Sequence, residues 1–168
     1  MPKKCACNHQ KRWLLFILIP PFGIFLLLFL TLWKNRLPWK KQPGRRKRLL
    51  TYLRSNKAET GDDSIFPELL TPVFKTTPDA LYAKSIEACQ SLGWSIQDAK
   101  VNEHKIEAII QSPLLKFKDD ISISIQAVTE DWSQLHVISS SRKGKGDFGS
   151  NTRHILNLKQ ALHKSLKN

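Results

Sequence analysis

Asp120-Ile121-Ser122-Ile123-Ser124-Ile125-Gln126-Ala127-Val128 is the stretch that decides the fold. Ile121, Ile123, Ile125 and Ala127 fall on one side of an extended chain, and Ser122, Ser124 and Gln126 on the other. Period-two alternation with one polar side marks a strand in an antiparallel sheet that is covered on one face. The neighbouring segments carry the same pattern. Residues 104–111 put Ile106, Ala108 and Ile110 on one side, residues 134–142 turn Leu135 and Val137 inward, and residues 94–99 make a shorter strand before them.

Helices flank these strands. Thr77-Pro78-Asp79 reads as a helix start, with threonine as cap, proline in the first turn and aspartate against the helix dipole. Leu81, Tyr82, Ile86, Cys89 and Leu92 then recur at helical spacing, and Gly93 stops the helix. Ser150 is expected to cap a closing helix whose buried stripe is Ile155, Leu158, Leu162 and Leu166. Helix, four strands and helix joined by short turns give an α+β domain over residues 66–168, an antiparallel meander with both helices on one face.

Upstream of the domain the composition changes. Residues 1–57 hold 14 Lys and Arg and no Asp or Glu, a charge of +14. Residues 58–168 hold the other 13 Lys and Arg against 14 Asp and Glu, a charge of −1. A nucleic-acid-binding domain carries its own basic face, so this distribution argues against nucleic acid as a partner. Within the basic part, residues 13–33 run for 21 residues without a charge, from Trp13 to Trp33. As a helix at about 1.5 Å per residue they reach the thickness of a hydrocarbon core, with a tryptophan at each interface. We expect an N-terminal transmembrane helix at 13–33, preceded by a basic tail at 1–12. The run is long for a cleaved signal peptide, and no small-x-small site follows it. Pro20-Pro21 and Gly23 favour a kink near its middle. A hairpin returning to the same side would leave backbone groups unpaired in lipid.

Residues 34–65 read as a polybasic juxtamembrane segment and linker. Lys40, Lys41, Arg45, Arg46, Lys47 and Arg48 are expected to lie along anionic headgroups, with Trp39, Leu49, Leu50, Tyr52 and Leu53 interleaved. Residues 55–65 lack periodicity and read as flexible linker. Ten Lys and Arg lie in residues 34–57 against four in residues 1–12. The positive-inside rule therefore favours the cytoplasm for the domain, whereas a short basic N-terminus before an apolar run also resembles an uncleaved signal anchor, which would export it.

Catalytic signatures are missing: there is no phosphate-binding Walker loop, no nucleophile elbow and no histidine-glutamate zinc helix. No cofactor or metal is expected. Cys5, Cys7 and Cys89 make no disulfide framework, and Cys89 is expected to be packed in the first helix. His9, His104, His136, His154 and His163 are scattered and read as surface residues.

Two stretches stand out as candidate sites. Phe117-Lys118-Asp119-Asp120 opens the best strand, where adjacent residues must face opposite ways. Ser141-Arg142-Lys143-Gly144-Lys145-Gly146-Asp147-Phe148-Gly149-Ser150-Asn151, followed by Arg153, leads into the last helix. Glycines, cations and a helix N-terminus suit a phosphate or carboxylate, whereas the charge of Asp147 opposes an anion and suits an internal tie.

On these residues the chain resembles the family called domain of unknown function 1499. Its pattern has Trp after the first helix, then E-A, then F-x-D-D opening a strand, then S-R-x-G-x-x-D-x-G-x-N-x-x-R-I. Here these are Trp94, Glu107-Ala108, Phe117, Asp119-Asp120, Ser141-Arg142, Gly144, Asp147, Gly149, Asn151, Arg153 and Ile155. Ser124 and Ile138 stand where members often have arginine, and His136 where they have an acid. The resemblance implies the domain limits and draws attention to the two loops; it names no activity. The expected function is a membrane-anchored, non-catalytic binding module whose partners are anionic lipid and a protein or small anionic ligand. The alternative is an enzyme using Asp119, Asp120, Arg142, Asp147 and Arg153.

Overall fold

The structure is a computed structural model that describes residues 23, 26, 29–30, 33, 35–112 and 116–167. It divides into one unit of residues 1–36 and another of residues 37–168. In the first, Gly23, Leu26, Phe29, Leu30 and Trp33 are helical, and the Phe29 and Trp33 rings meet edge to face at 5.9 Å. Among the described residues no helix is long and apolar enough to cross a membrane. The expected span at 13–33 lies almost wholly outside them.

The second unit runs α1 (Arg45–Arg54), β1 (Lys57–Glu59), a 3-10 turn (Pro67–Leu69), β2 (Val73–Phe74), α2 (Pro78–Ser91), β3 (Ser95–Lys100), a 3-10 turn (Val101–Glu103), β4 (Lys105–Gln111), β5 (Lys118–Thr129), β6 (Trp132–Ser141) and α3 (Ser150–Ser165). It is an α+β unit with an antiparallel sheet in the order β1-β6-β5-β4-β3. Consecutive strands β3 to β6 are neighbours, as the alternation predicts. β1 and β2 both pair with the outer edge of β6. Ile106, Ile123 and Val137 lie side by side across three strands and are fully buried. They share one core with Leu81 and Cys89 of α2 and with Ile155, Leu158 and Leu162 of α3. Ser122 and Ser124 face the other, uncovered side.

α2 starts as its sequence dictates: the Thr77 side chain accepts from the Ala80 amide at 3.4 Å. α3 does not. Its flanking residue is Gly149 in the left-handed region, and Ser150 is already inside the helix, so Ser150 is not the cap.

The segment at 37–65 is part of this unit, and the stretch at 55–65, expected as flexible linker, contributes a strand to the sheet. β1 pairs Lys57, Ala58 and Glu59 with Ser140, Ser139 and Ile138. Arg48, expected at the headgroups, is fully buried. Its guanidinium forks onto Glu68, with Nη1 donating to Oε1 and Nη2 to Oε2, the latter at 3.0 Å. It also donates to the Tyr52 hydroxyl at 3.2 Å and to the carbonyls of Lys41 and Gln42. Its carbon lies 5.0 Å from the centre of the Phe66 ring. The Glu68 hydrogen bonds raise the Arg48 pKa further above its ordinary value. Trp39 meets Tyr52 edge to face at 5.7 Å, and Tyr52 stacks with Phe66 at 6.3 Å. A side chain that finds five partners indoors has no reason to reach for water.

Breaking this pair leaves an uncompensated buried charge. Arg48→Ala or Glu68→Ala is therefore expected to cost about 3–5 kcal/mol, a fall in melting temperature of roughly 10–20 °C. The apolar double variant Arg48→Met/Glu68→Leu should recover most of that loss. Thermal unfolding of the full-length chain by circular dichroism checks both. Equal melting of Arg48→Ala and the parent would show that Arg48 is not structural.

Cys89 is fully buried, and burial pushes its thiol up to about 12. With Cys5→Ser and Cys7→Ser in place, the folded chain should not react with a thiol reagent at pH 8. Addition of denaturant should expose one thiol per chain.

Candidate functional site

The two stretches singled out in the sequence meet at one end of the sheet. Asp119 pairs in register with Ser141, and the Arg142 amide donates to the Lys118 carbonyl at 3.1 Å. The adjacent aspartates part company there, as alternation requires. Asp119 turns to the helix side and is 9% exposed, while Asp120 stays on the uncovered side.

Asp120 and Arg142 form a forked pair. Arg142 Nε lies 3.0 and 2.8 Å from the two carboxylate oxygens, and Nη2 lies 2.7 Å from Oδ1. Both side chains are close to half exposed. The guanidinium holds the Asp120 carboxyl below its ordinary value of 3.8.

On the helix side, Asp119 Oδ2 lies 3.0 Å from His154 Nε2, and the His154 ring stands edge-on to Trp94 at 6.3 Å. The reading of all five histidines as surface residues fails here. His154 is only 15% exposed at its side chain, and no local pattern in the sequence joins it to an aspartate 35 positions earlier. Ser150 Oγ lies 3.5 Å from His154, on the same Nε2 that faces Asp119. A nucleophile–base–acid relay needs the two ring nitrogens to face opposite partners, so these three residues do not form one.

Asp147 performs the capping expected of Ser150. Oδ1 accepts the Gly149 amide at 2.9 Å and Oδ2 accepts the Asn151 amide at 2.9 Å. Burial pushes its carboxyl above 3.8, while these bonds act the other way. Its own amide donates to the Ser55 carbonyl at 3.1 Å. Asn151 is fully buried: it accepts from Ser139 Oγ at 2.6 Å and donates to the Asn56 carbonyl at 2.8 Å and to Ser141 Oγ at 3.1 Å. Two glycines let the backbones close up. A Cβ on Gly149, whose φ is +78°, would overlap the Leu37 side chain, and one on Gly146 would overlap the Leu53 carbonyl. The Gly144 carbonyl accepts from Asn56 Nδ2 at 3.2 Å. Arg153 is half-buried in the first turn of α3.

Gly144, Asp147, Gly149 and Asn151 thus tie α3, β6 and the α1–β1 corner together. The catalytic alternative needs at least two of Asp119, Asp120 and Asp147 in one pocket, and Asp119 faces His154. Asp120 is on the other face, and both oxygens of Asp147 are taken by amides. A cavity of about 520 Å³ opens beside the corner, with Tyr52, Phe66, Asp62, Asp63, Asp147 and Thr152 in its walls. Four carboxylates there, Glu59, Asp62, Asp63 and Asp147, disfavour an anion. A second cleft, of about 340 Å³, is basic and is lined by Lys116, Phe117, Lys118, Arg142 and Lys143. Among the described residues no three His, Cys, Asp or Glu gather as metal ligands.

The expected headgroup cations Lys40, Lys41, Arg45, Arg46 and Lys47 are all exposed; Arg48 alone among them is buried. The departures from the family pattern, Ser124, His136 and Ile138, share the uncovered sheet face, where Ser124 pairs with His136 and Ser122 with Ile138.

A family model described as "Protein of unknown function (DUF1499)" matches residues 41–162. No curated protein matches the chain. The match begins ahead of α1, in keeping with α1 and β1 being built into the unit.

Arg142→Ala is expected to lower the melting temperature by no more than about 3 °C at pH 7, because exposed ion pairs contribute little. Asp147→Ala removes a cap and two charge-assisted bonds, about 2 kcal/mol, and should lower it by roughly 5–10 °C. The pH dependences have opposite signs. Asp120 has a depressed pKa, so its contribution is present above 3.8 and is lost as pH falls through the folded value. The small Arg142→Ala deficit should vanish in that window. Asp147 has a raised pKa, so the pH-dependent part of its contribution is fully present below 3.8 and is lost as pH rises through the folded value, which leaves the Asp147→Ala deficit smaller at pH 7 than at pH 2.5. Melting curves from pH 2.5 to 7 measure both.

Proposed function

The chain belongs to the DUF1499 family of proteins of unknown function, and from that premise we propose that it is a single-pass, membrane-anchored interaction module without a catalytic role. The observation that carries this reading is the inverted face of α1. Arg48 and Tyr52, four residues apart, take its inward side. Leu49, Leu50 and Leu53 are left 38%, 49% and 42% exposed. Arg45, Arg46, Lys47 and Arg54 surround them, and the helix has no acidic residue. A short helix with leucines and cations outward suits the boundary between headgroups and acyl chains.

The rest of the chain supports the same reading. The uncharged run at 13–33 is long enough to span a bilayer, and Leu26, Phe29, Leu30 and Trp33 are exposed apolar side chains. Lys40, Lys41, Arg45, Arg46 and Lys47 would meet anionic headgroups, and the excess of cations after the span supports a cytoplasmic domain. The protein or small anionic partner would then be met on the domain.

The full-length chain should stay in the membrane pellet through high salt and alkaline carbonate; release by carbonate would refute the anchor. With residues 13–33 deleted, the remainder should bind vesicles containing phosphatidylserine but not pure phosphatidylcholine. Replacing Leu49, Leu50 and Leu53 by serine should weaken that binding on the order of 100-fold, since each half-buried leucine contributes about 1 kcal/mol. Unchanged binding with an unchanged melting temperature would show that α1 is not the contact.

A further inference from the structure

The sheet end beside Leu37 and the start of α3 carries a second feature. β4 ends, β5 begins, β6 ends and β1 begins there: Gln111 pairs with Lys118, Asp119 with Ser141 and Lys57 with Ser140. The loop leaving β6 crosses this end, held to Lys118 on one side and to Ser55 and Asn56 on the other. Phe117, next to the start of β5, is 50% exposed between Lys116 and Lys118. With Arg142 and Lys143 these residues line the 340 Å³ cleft, and exposed Lys145 follows. Residues 116–118 and 142–146 hold Lys116, Lys118, Arg142, Lys143 and Lys145 and no acid. The nearby carboxylates are engaged: Asp119 with His154, Asp120 with Arg142 and Asp147 with amides. Leu37 enters at the same end, against the start of α3.

We propose that this end docks on an anionic phospholipid surface, with headgroup phosphates in the basic cleft and the Phe117 ring in the interfacial layer. The inference rests on the membrane-anchored reading and adds a contact far from α1 in sequence. An exposed aromatic ringed by lysines is the chemistry of a lipid interface, where the ring leaves water and the ammonium groups meet phosphates. Lipid is favoured over nucleic acid because among the described residues one exposed ring, Phe117, lies in the cleft. Single-stranded chains are held by successive aromatics along a groove. With two contacts the strands would stand away from the membrane. Val128, eleven residues past Phe117, would be roughly 36 Å above it.

The test uses the full-length chain in vesicles, with Cys5→Ser and Cys7→Ser and with Cys89 buried. A nitroxide is placed at Phe117→Cys or, as reference, at Val128→Cys, which is 51% exposed. In vesicles with about 30% phosphatidylserine, the label at 117 should collide more with oxygen and several-fold less with a water-soluble nickel chelate than the label at 128. The difference should disappear in pure phosphatidylcholine, in about 0.5 M salt, or with Lys116→Glu/Lys118→Glu/Lys143→Glu. Equal accessibility of 117 and 128 in the anionic vesicles, with the chain still resistant to carbonate, would overturn this docking and leave the anchor standing. Release by carbonate would overturn both. Shielding of 117 that appears only when a DNA oligonucleotide is added would overturn lipid in favour of nucleic acid.

Discussion

The forked contact between Arg48 and Glu68 sets what the N-terminal third of the described domain can be. Taking an arginine out of water is costly unless its hydrogen bonds are met, and here a carboxylate, a hydroxyl and two carbonyls meet them. Once Arg48 points inward, helical geometry fixes the rest of the helix. Tyr52, one turn on, joins the aromatic stack with Trp39 and Phe66. Leu49, Leu50 and Leu53 are then carried to the outside. The same contact that makes α1 part of the domain makes its outer face apolar. A helix that buried its leucines would have shown lipid only charge.

The sheet was legible in the sequence because its signal is local and repeated. Ile121, Ile123 and Ile125 alternate with serines whatever the rest of the chain does, and two neighbouring strands repeat the pattern. α1 was legible as a short helix but not as a buried one. Arg45-Arg46-Lys47-Arg48 gives no local reason to single out its fourth residue, and the partner lies 20 residues further along. β1 has one buried side chain, Ala58, which is too little pattern to separate from linker. The cap was misplaced because serine and aspartate both suit the role. Only the left-handed turn at Gly149 reveals that the carboxylate of Asp147 reaches past it to the first free amides.

The conserved-looking spacing of the second motif has a mechanical explanation. Its glycines sit where backbone or Leu37 comes too close for a side chain, its aspartate caps α3, and its asparagine fills a dry junction between β6 and the α1–β1 corner. Several polar residues at fixed spacing looked like a ligand cradle because buried polar networks and ligand sites use the same groups. What separates them is vacancy. The carboxylate and amide groups of Asp147 and Asn151 are spent on the protein itself, whereas Lys116, Lys118 and Lys143 have no such duty.

Net charge was the coarsest of the sequence arguments, and the structure refines it. A charge near zero over residues 58–168 excludes a basic face only if opposite charges are mixed evenly. They are mixed on the uncovered sheet face, where Lys105 meets Glu107 at 3.0 Å and Lys57 pairs with Glu59. They are not mixed along the strands. Lys116, Lys118, Lys143 and Lys145 gather at the end where β5 begins and β6 ends, and Glu130 and Asp131 sit at the β5–β6 turn at the far end. A field arranged in this way does not suit a long polyanion, which would track a stripe across the face. It does suit a planar anionic surface met end-on, with the acidic turn repelled from that surface and held away from it. The uncovered face, with Ser124, His136 and Ile138 in place of the family's charged residues, is then left free for a partner approaching from the side.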